Sequence, residues 1–142
     1  MKTLVSQCSY YQLSVDEQKQ RLYLSLKGYW NTQEVFDDFL KDVKKASSFL
    51  SEKFSCFTDY TSLKALTQQQ YLSYHSEVYN TLIKLGLDKS AQVMPVDYIA
   101  YQQLQELIAS LNKLAIFGEE DIAEKYLDSF VDQFFNQDNF LN

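Results

Sequence analysis

The stretch Lys53–Leu87 constrains this chain more than any other. It reads KFSCFTDY, then TSLKALT, then QQQYLSYHSEVYNTLIKLGL. Phe54, Cys56 and Phe57 make the first segment almost continuously apolar, the pattern of a central strand covered on both faces. Tyr71, Tyr74 or His75, Val78, Leu82 and Leu85 then recur at helical spacing, and Gly86 supplies a residue suited to ending a helix. An apolar strand ending in Asp59, a polar turn and a helix starting near Thr67 form half of a βαβ unit. The chain downstream repeats that rhythm.

Upstream, Tyr11, Leu13 and Val15 alternate with Gln12 and Ser14, the signature of a half-buried strand over Tyr10–Val15. The polar run Asp16–Gln20 makes a turn. Leu22, Leu24 and Leu26 alternate in their turn, up to Gly28. Two alternating runs across a short polar loop predict an antiparallel hairpin. Asn31 and Glu34 have the spacing of a capping box. The helix behind them places Val35, Phe36, Phe39, Leu40, Val43 and Leu50 on one face and Asp37, Asp38, Lys41, Lys44 and Lys45 on the other.

Beyond the central unit, Ala91–Val96 reads as a short strand closed by Pro95. Asp97 can cap a third helix bearing Tyr101, Leu104, Leu107, Ile108 and Leu111. Leu114–Phe117 is a very short strand. Glu119, Glu120 and Asp121 complement the dipole of a last helix, which presents Ile122, Tyr126, Leu127, Phe130, Val131 and Phe134. The predicted order is β-β-α-β-α-β-α-β-α: a single mixed five-stranded sheet with an antiparallel edge hairpin, parallel strands after it, and helices packed on it. One domain spans 1–142, with its core over about 10–133. The tail 134–142, FFNQDNFLN, is apolar for a terminus and suits fraying, docking on the core or an interface such as that of a homodimer.

With 142 residues, three glycines and one proline, the chain has little room for a second core or for long linkers. A net charge of −6 argues against nucleic acid or anionic membrane as a partner. No run reaches the 18 apolar residues of a membrane span, and the N-terminus lacks the apolar core of a signal peptide. The two cysteines are far apart without a CxxC; Cys56 reads as a small buried hydrophobe, so a reducing, cytoplasmic setting is expected.

Catalytic signals are absent from the pattern. His75 is the only histidine, with no second ligand near it in sequence, so neither a metal site nor a Cys–His pair is indicated. No GxGxxG, Walker A, GxSxG or HExxH occurs, and no cofactor is expected. The acid pairs Asp37/Asp38, Glu119/Glu120 and Asp128/Asp132 read as solvated faces or dipole complements rather than acid–base machinery. The most informative polar cluster is Thr58, Asp59, Tyr60, Thr61 and Ser62, with Thr67 opening the next helix. In open α/β sheets ligands gather beyond the carboxyl ends of parallel strands, and Asp97 and Glu119 should share that rim. The plainer reading is that Asp59 and Thr61 bond a turn while Thr67 caps a helix.

The element order, the central strand ending in Asp59, the helix after a short loop and the closing segment LAIFGEEDIAEKYLDSF together resemble a STAS domain, the sulfate transporter and anti-sigma factor antagonist family, in its small stand-alone branch. The resemblance covers residues 10 to 133. It implies a non-catalytic regulatory domain that binds a protein partner near the loop after the third strand, with a Ser or Thr there phosphorylated by a partner kinase. The family's Asp-Ser-Ser-Gly-like step is replaced here by Leu66-Thr67-Gln68-Gln69. Thr67 stands nearest the phosphoacceptor, with Thr61 and Ser62 as neighbours. The expected contact rim is Asp59, Tyr60, Thr61, Thr67 and Asp97. The alternative is a binder of a small apolar or lipid-like ligand, held between helices and sheet by Tyr71, Tyr74, Tyr98 and Tyr101.

Overall fold

The computed structural model describes residues 1–30, 32–65, 70–111, 115–117 and 119–141. The strands are β1 Thr3–Gln7, β2 Tyr11–Asp16, β3 Arg21–Gly28, β4 Phe54–Leu63, β5 Leu87–Val93 and β6 Ala115–Phe117. The helices are α1 Gln33–Ser47, α2 Gln70–Leu85, α3 Tyr98–Leu111 and α4 Glu120–Leu141. They build an α/β fold on a single mixed sheet in the order β1-β2-β3-β4-β5-β6, each strand beside its neighbour in the chain. The hairpin β2–β3 is antiparallel and pairs Tyr11 with Leu26. From β3 onward the strands are parallel.

All five expected strands are present, and β1 adds a sixth outside the hairpin, antiparallel to β2. Its pattern was hidden because the register shifts between Leu4 and Ser6. A bulge breaks the period of two on which strand recognition rests. It also blunts what is now the sheet edge.

Alternation along the strands divides the core in two. Leu22, Leu24, Leu26, Phe54 and Cys56 meet Phe36, Phe39 and Val43 of α1, Tyr74 and Leu82 of α2 and Leu104 of α3. Tyr23, Phe57, Ala91 and Val93 face the other way, onto Ala123 and Leu127 of α4. The expected inward Ile122 is half exposed and Tyr101 more than a third exposed; in each case a neighbour on the helix wheel, Ala123 or Leu104, takes the core position.

Local signals account for the joints. Thr32, not the preceding Asn31, caps α1, its hydroxyl accepting from Val35 N; Asn31 lies outside the described residues. Gly86 ends α2 at φ +119°, where a Cβ would fall 2.0 Å from the carbonyl oxygen of Glu52. That turn leads straight into β5, which begins at Leu87 rather than at the expected Ala91 and ends at Val93. Exposed Asp88 and Lys89 had masked the start of the strand. Asp97 caps α3, with Ala100 N donating to Oδ1 at 3.0 Å. α4 continues through the tail to Leu141. Thr67, Leu114 and the side chains of Tyr71, His75, Leu107, Ile108, Leu111, Asp132 and Phe134 lie outside the described residues.

Candidate functional site

At the carboxyl ends of the parallel strands, β4 outruns its neighbour. β5 pairs with β4 as far as Asp59 opposite Val93. β4 then continues to Leu63 beside β3 alone. Thr58–Ser62 is therefore the end of a strand and not a turn. The edge it leaves is closed by the chain entering α3, through Val96 N donating to Thr61 O at 3.1 Å. Asp59 Oδ1 accepts from the Thr61 amide at 2.9 Å and also from the Thr61 hydroxyl. The rim thus joins Asp59, Thr61, Val96 and Asp97.

Alternation separates Tyr60 from these residues, and a register shift against β3 interrupts the alternation before Ser62. Tyr60 leaves the rim, because its ring turns to the opposite face and packs on the α1–α2 core. Burial holds its phenol above the ordinary value. Ser62 is exposed, on a backbone paired with Lys27.

The rim gains a residue that sequence spacing assigned to the helix dipole. Glu120 stands in the first turn of α4. Hydrogen bonding with Asp59, burial and the Asp59 charge push its pKa above the usual carboxylate range, against the pull of Lys2. Negative charge here is therefore crowded. Val96, whose amide is bonded to this edge, is 81% exposed, and Tyr98 and Ile99, which follow Asp97 into α3, are 70% and 51% exposed.

A second polar cluster lies at the opposite end of the sheet. Arg21, first in β3, is fully buried. Its Nε donates to Ser55 Oγ at 2.9 Å and its Nη1 to Asp128 Oδ1 at 2.9 Å, 3.0 Å from Glu124 Oε1. Lys19 Nζ is 3.0 Å from Glu124 Oε1 and 3.1 Å from Asp128 Oδ1. The Tyr23 hydroxyl donates to Glu124 Oε1 at 2.6 Å. Burial pushes Asp128 upward, but its bonds to Arg21 and Lys19 outweigh this and hold it below the usual carboxylate range. Two cations and two carboxylates balance, and the cluster clamps α4 to the hairpin.

Together the two clusters explain how α4 lies. Glu120, Glu124 and Asp128 form one stripe at i, i+4 and i+8. Eight helical residues rise about 12 Å, close to the roughly 13 Å that four strand residues cover from Ser55 to Asp59. The helix therefore runs antiparallel to β4, from the carboxyl rim to the amino end. The stripe is hidden in the sequence because its partners lie from about sixty to more than a hundred residues away; its one sequence signal is the repeated spacing of acids.

The void between α1, α2 and the sheet is lined by Leu24, Trp30, Phe39, Tyr60 and Tyr74, among others, and its volume is ≈ 10 Å³, room for about one water. Cys56 is buried, which pushes its thiol up to about 12. Among the described residues, no group of three or more His, Cys, Asp or Glu side chains could hold a metal ion. No described helix is long and apolar enough to cross a membrane. No protein-family model matches the chain, and no curated protein gives a significant match.

Proposed function

We propose that this chain is a non-catalytic, STAS-like regulatory domain that captures a protein partner on the carboxyl rim of its sheet. The observation that carries this reading is the exposure of Val96, Tyr98 and Ile99 around Asp97, on the segment that Val96 N ties to Thr61 O at the end of β4. Exposed large apolar groups set among charges are the composition of an interface. Asp59 and Asp97 are tied by hydrogen bonds to Thr61 and to α3, so the surface is preorganised and costs little to order.

Phosphorylation of Thr61 has less support. Its hydroxyl is already bonded to Asp59, and a phosphate there would face the Asp59 and Glu120 carboxyls. Exposed Ser62 is the freer hydroxyl. Among the described residues the apolar-ligand reading finds no supporting observation: Tyr98 is exposed, Tyr101 is more than a third exposed, and the void beside Tyr74 has room for about one water.

A photo-crosslinking residue at Val96 tests the proposal, with one at Lys45 on the exposed face of α1 as control. In lysate of the native host, Val96 should trap one protein species that Lys45 does not, and Asp59→Lys should abolish it without altering the circular dichroism spectrum. Equal trapping at both positions, or capture indifferent to Asp59→Lys, would count against the rim.

A further inference from the structure

The cluster that clamps α4 to the hairpin is crowded on one side and unmet on the other. Three donors surround Glu124 Oε1: the Tyr23 hydroxyl at 2.6 Å, Lys19 Nζ at 3.0 Å and Arg21 Nη1 at 3.0 Å. Arg21 Nη1 also donates to Asp128 Oδ1 at 2.9 Å. The sister atoms are treated differently. Arg21 Nη2 and Glu124 Oε2 are both sealed from solvent, and neither finds a hydrogen-bond partner among the described residues. The Tyr23 hydroxyl neighbours the guanidinium, but its proton goes to Oε1, and Oε2 receives none.

Arginine and a carboxylate commonly meet through two parallel bonds. Here one edge is closed, Nη1 against Oε1, while Nη2 and Oε2 do not meet. A charged group left unbonded in the interior is costly, and buried groups of this kind are where proteins hold ordered water. Because Nη1 stands 3.0 Å from Oε1, standard bond lengths keep the two orphans within about 7.5 Å of each other. One water, bonded at both ends, spans up to roughly 5.7 Å. Lys19 and Asp128, 35% and 36% exposed, form the solvent side of the cluster and give water a way in.

We infer that an ordered water joins Arg21 Nη2 to Glu124 Oε2, accepting from the guanidinium and donating to the carboxylate, as a built part of the clamp between α4 and the sheet. The two orphans select this occupant by their chemistry. A chloride would accept from Nη2 but face the Glu124 charge, and a metal or ammonium cation would meet Oε2 but face Arg21. Water satisfies both without disturbing the balance of two cations and two carboxylates.

Arg21 is the only arginine of the chain, so its guanidinium signals need no assignment. The test is a rotating-frame Overhauser spectrum of the unmodified chain, ¹⁵N-labelled at arginine, selected at the water frequency. Dipolar contact and proton exchange give peaks of opposite sign there. The Nη2 protons should be resolved from those of Nη1 and show the dipolar peak. In ¹⁷O relaxation dispersion, Arg21→Met with Glu124→Leu, which replaces both orphans by apolar groups, should lose about one long-lived water relative to the unmodified chain.

Resolved Nη2 protons without a dipolar peak would overturn the inference, since Arg21 and Glu124 then pair directly. A single averaged guanidinium signal would overturn it too, because a bridged Nη2 is held in place. So would an undiminished water count in a folded double variant, or Nη2 signals that move when bromide replaces chloride, which would make the occupant an anion. If the double variant fails to fold, as judged by circular dichroism, the spectrum of the unmodified chain decides alone.

Discussion

Glu124→Ala combined with Asp128→Ala should strand the Arg21 guanidinium, and the cost can be worked from the contacts. Arg21 is fully buried and would keep Ser55 Oγ and the neighbouring Tyr23 hydroxyl but no carboxylate. Either carboxylate alone still covers Nη1, so each single change loses about one charged hydrogen bond, roughly 1.5–2 kcal/mol. Losing both leaves a buried cation without a counterion, for which about 4 kcal/mol is expected. The double variant should therefore exceed the sum of the singles by up to about 1 kcal/mol. Adding Arg21→Met removes the stranded charge while keeping much of the side-chain volume, and should restore a large part of the loss. Urea unfolding followed by circular dichroism, with unchanged slopes, reads all four chains. A double variant costing less than about 1 kcal/mol would place the cluster with exposed ion pairs and refute the clamp.

Four further outcomes follow from particular groups. Gly86→Ala forces a Cβ against the Glu52 carbonyl at a φ of +119°, and should cost at least about 2–3 kcal/mol, seen as a lower urea midpoint; a neutral result would show that the α2–β5 joint relaxes freely. Asp128, held below its ordinary value by Arg21 and Lys19, contributes stability that is complete above the unfolded value near pH 4 and is lost as pH falls through the lower folded value. Asp128→Asn should flatten that acid limb of the stability profile. Glu120 has the opposite sign: its raised value means that the folded state binds the extra proton, so stability falls as pH rises from about 4 toward the folded value. Glu120→Gln should then stabilise the protein at pH 7 and lose that advantage below about pH 4, whereas a gain independent of pH would refute the crowding of Glu120 by Asp59. Finally, a thiol reagent at pH 8 should modify exposed Cys8 quickly and Cys56 only on unfolding, because burial pushes the Cys56 thiol up to about 12; two fast thiols would contradict the packing of β4.

Short-range patterns carried most of the architecture. The alternation of Leu22, Leu24 and Leu26 marked β3, the run around Cys56 marked the central strand, and Asp97 and Gly86 marked helix ends, because each of those signals acts within a few residues. β1 escaped because its bulge spoils the alternation. Tyr60 was drawn into the expected site because its neighbours in sequence are polar, although alternation sends its ring to the other face. The partners Glu120–Asp59 and Asp128–Arg21 are 61 and 107 residues apart. No local pattern connects such pairs; they meet only because α4 crosses the sheet antiparallel to β4. The sequence by itself determined the class of fold, the order of its elements and the breaks between them, since these depend on local propensity and periodicity. Only the tertiary structure decided which acids are neutralised and which are crowded, because the energy of a charge depends on what the folded chain brings within a few ångströms of it.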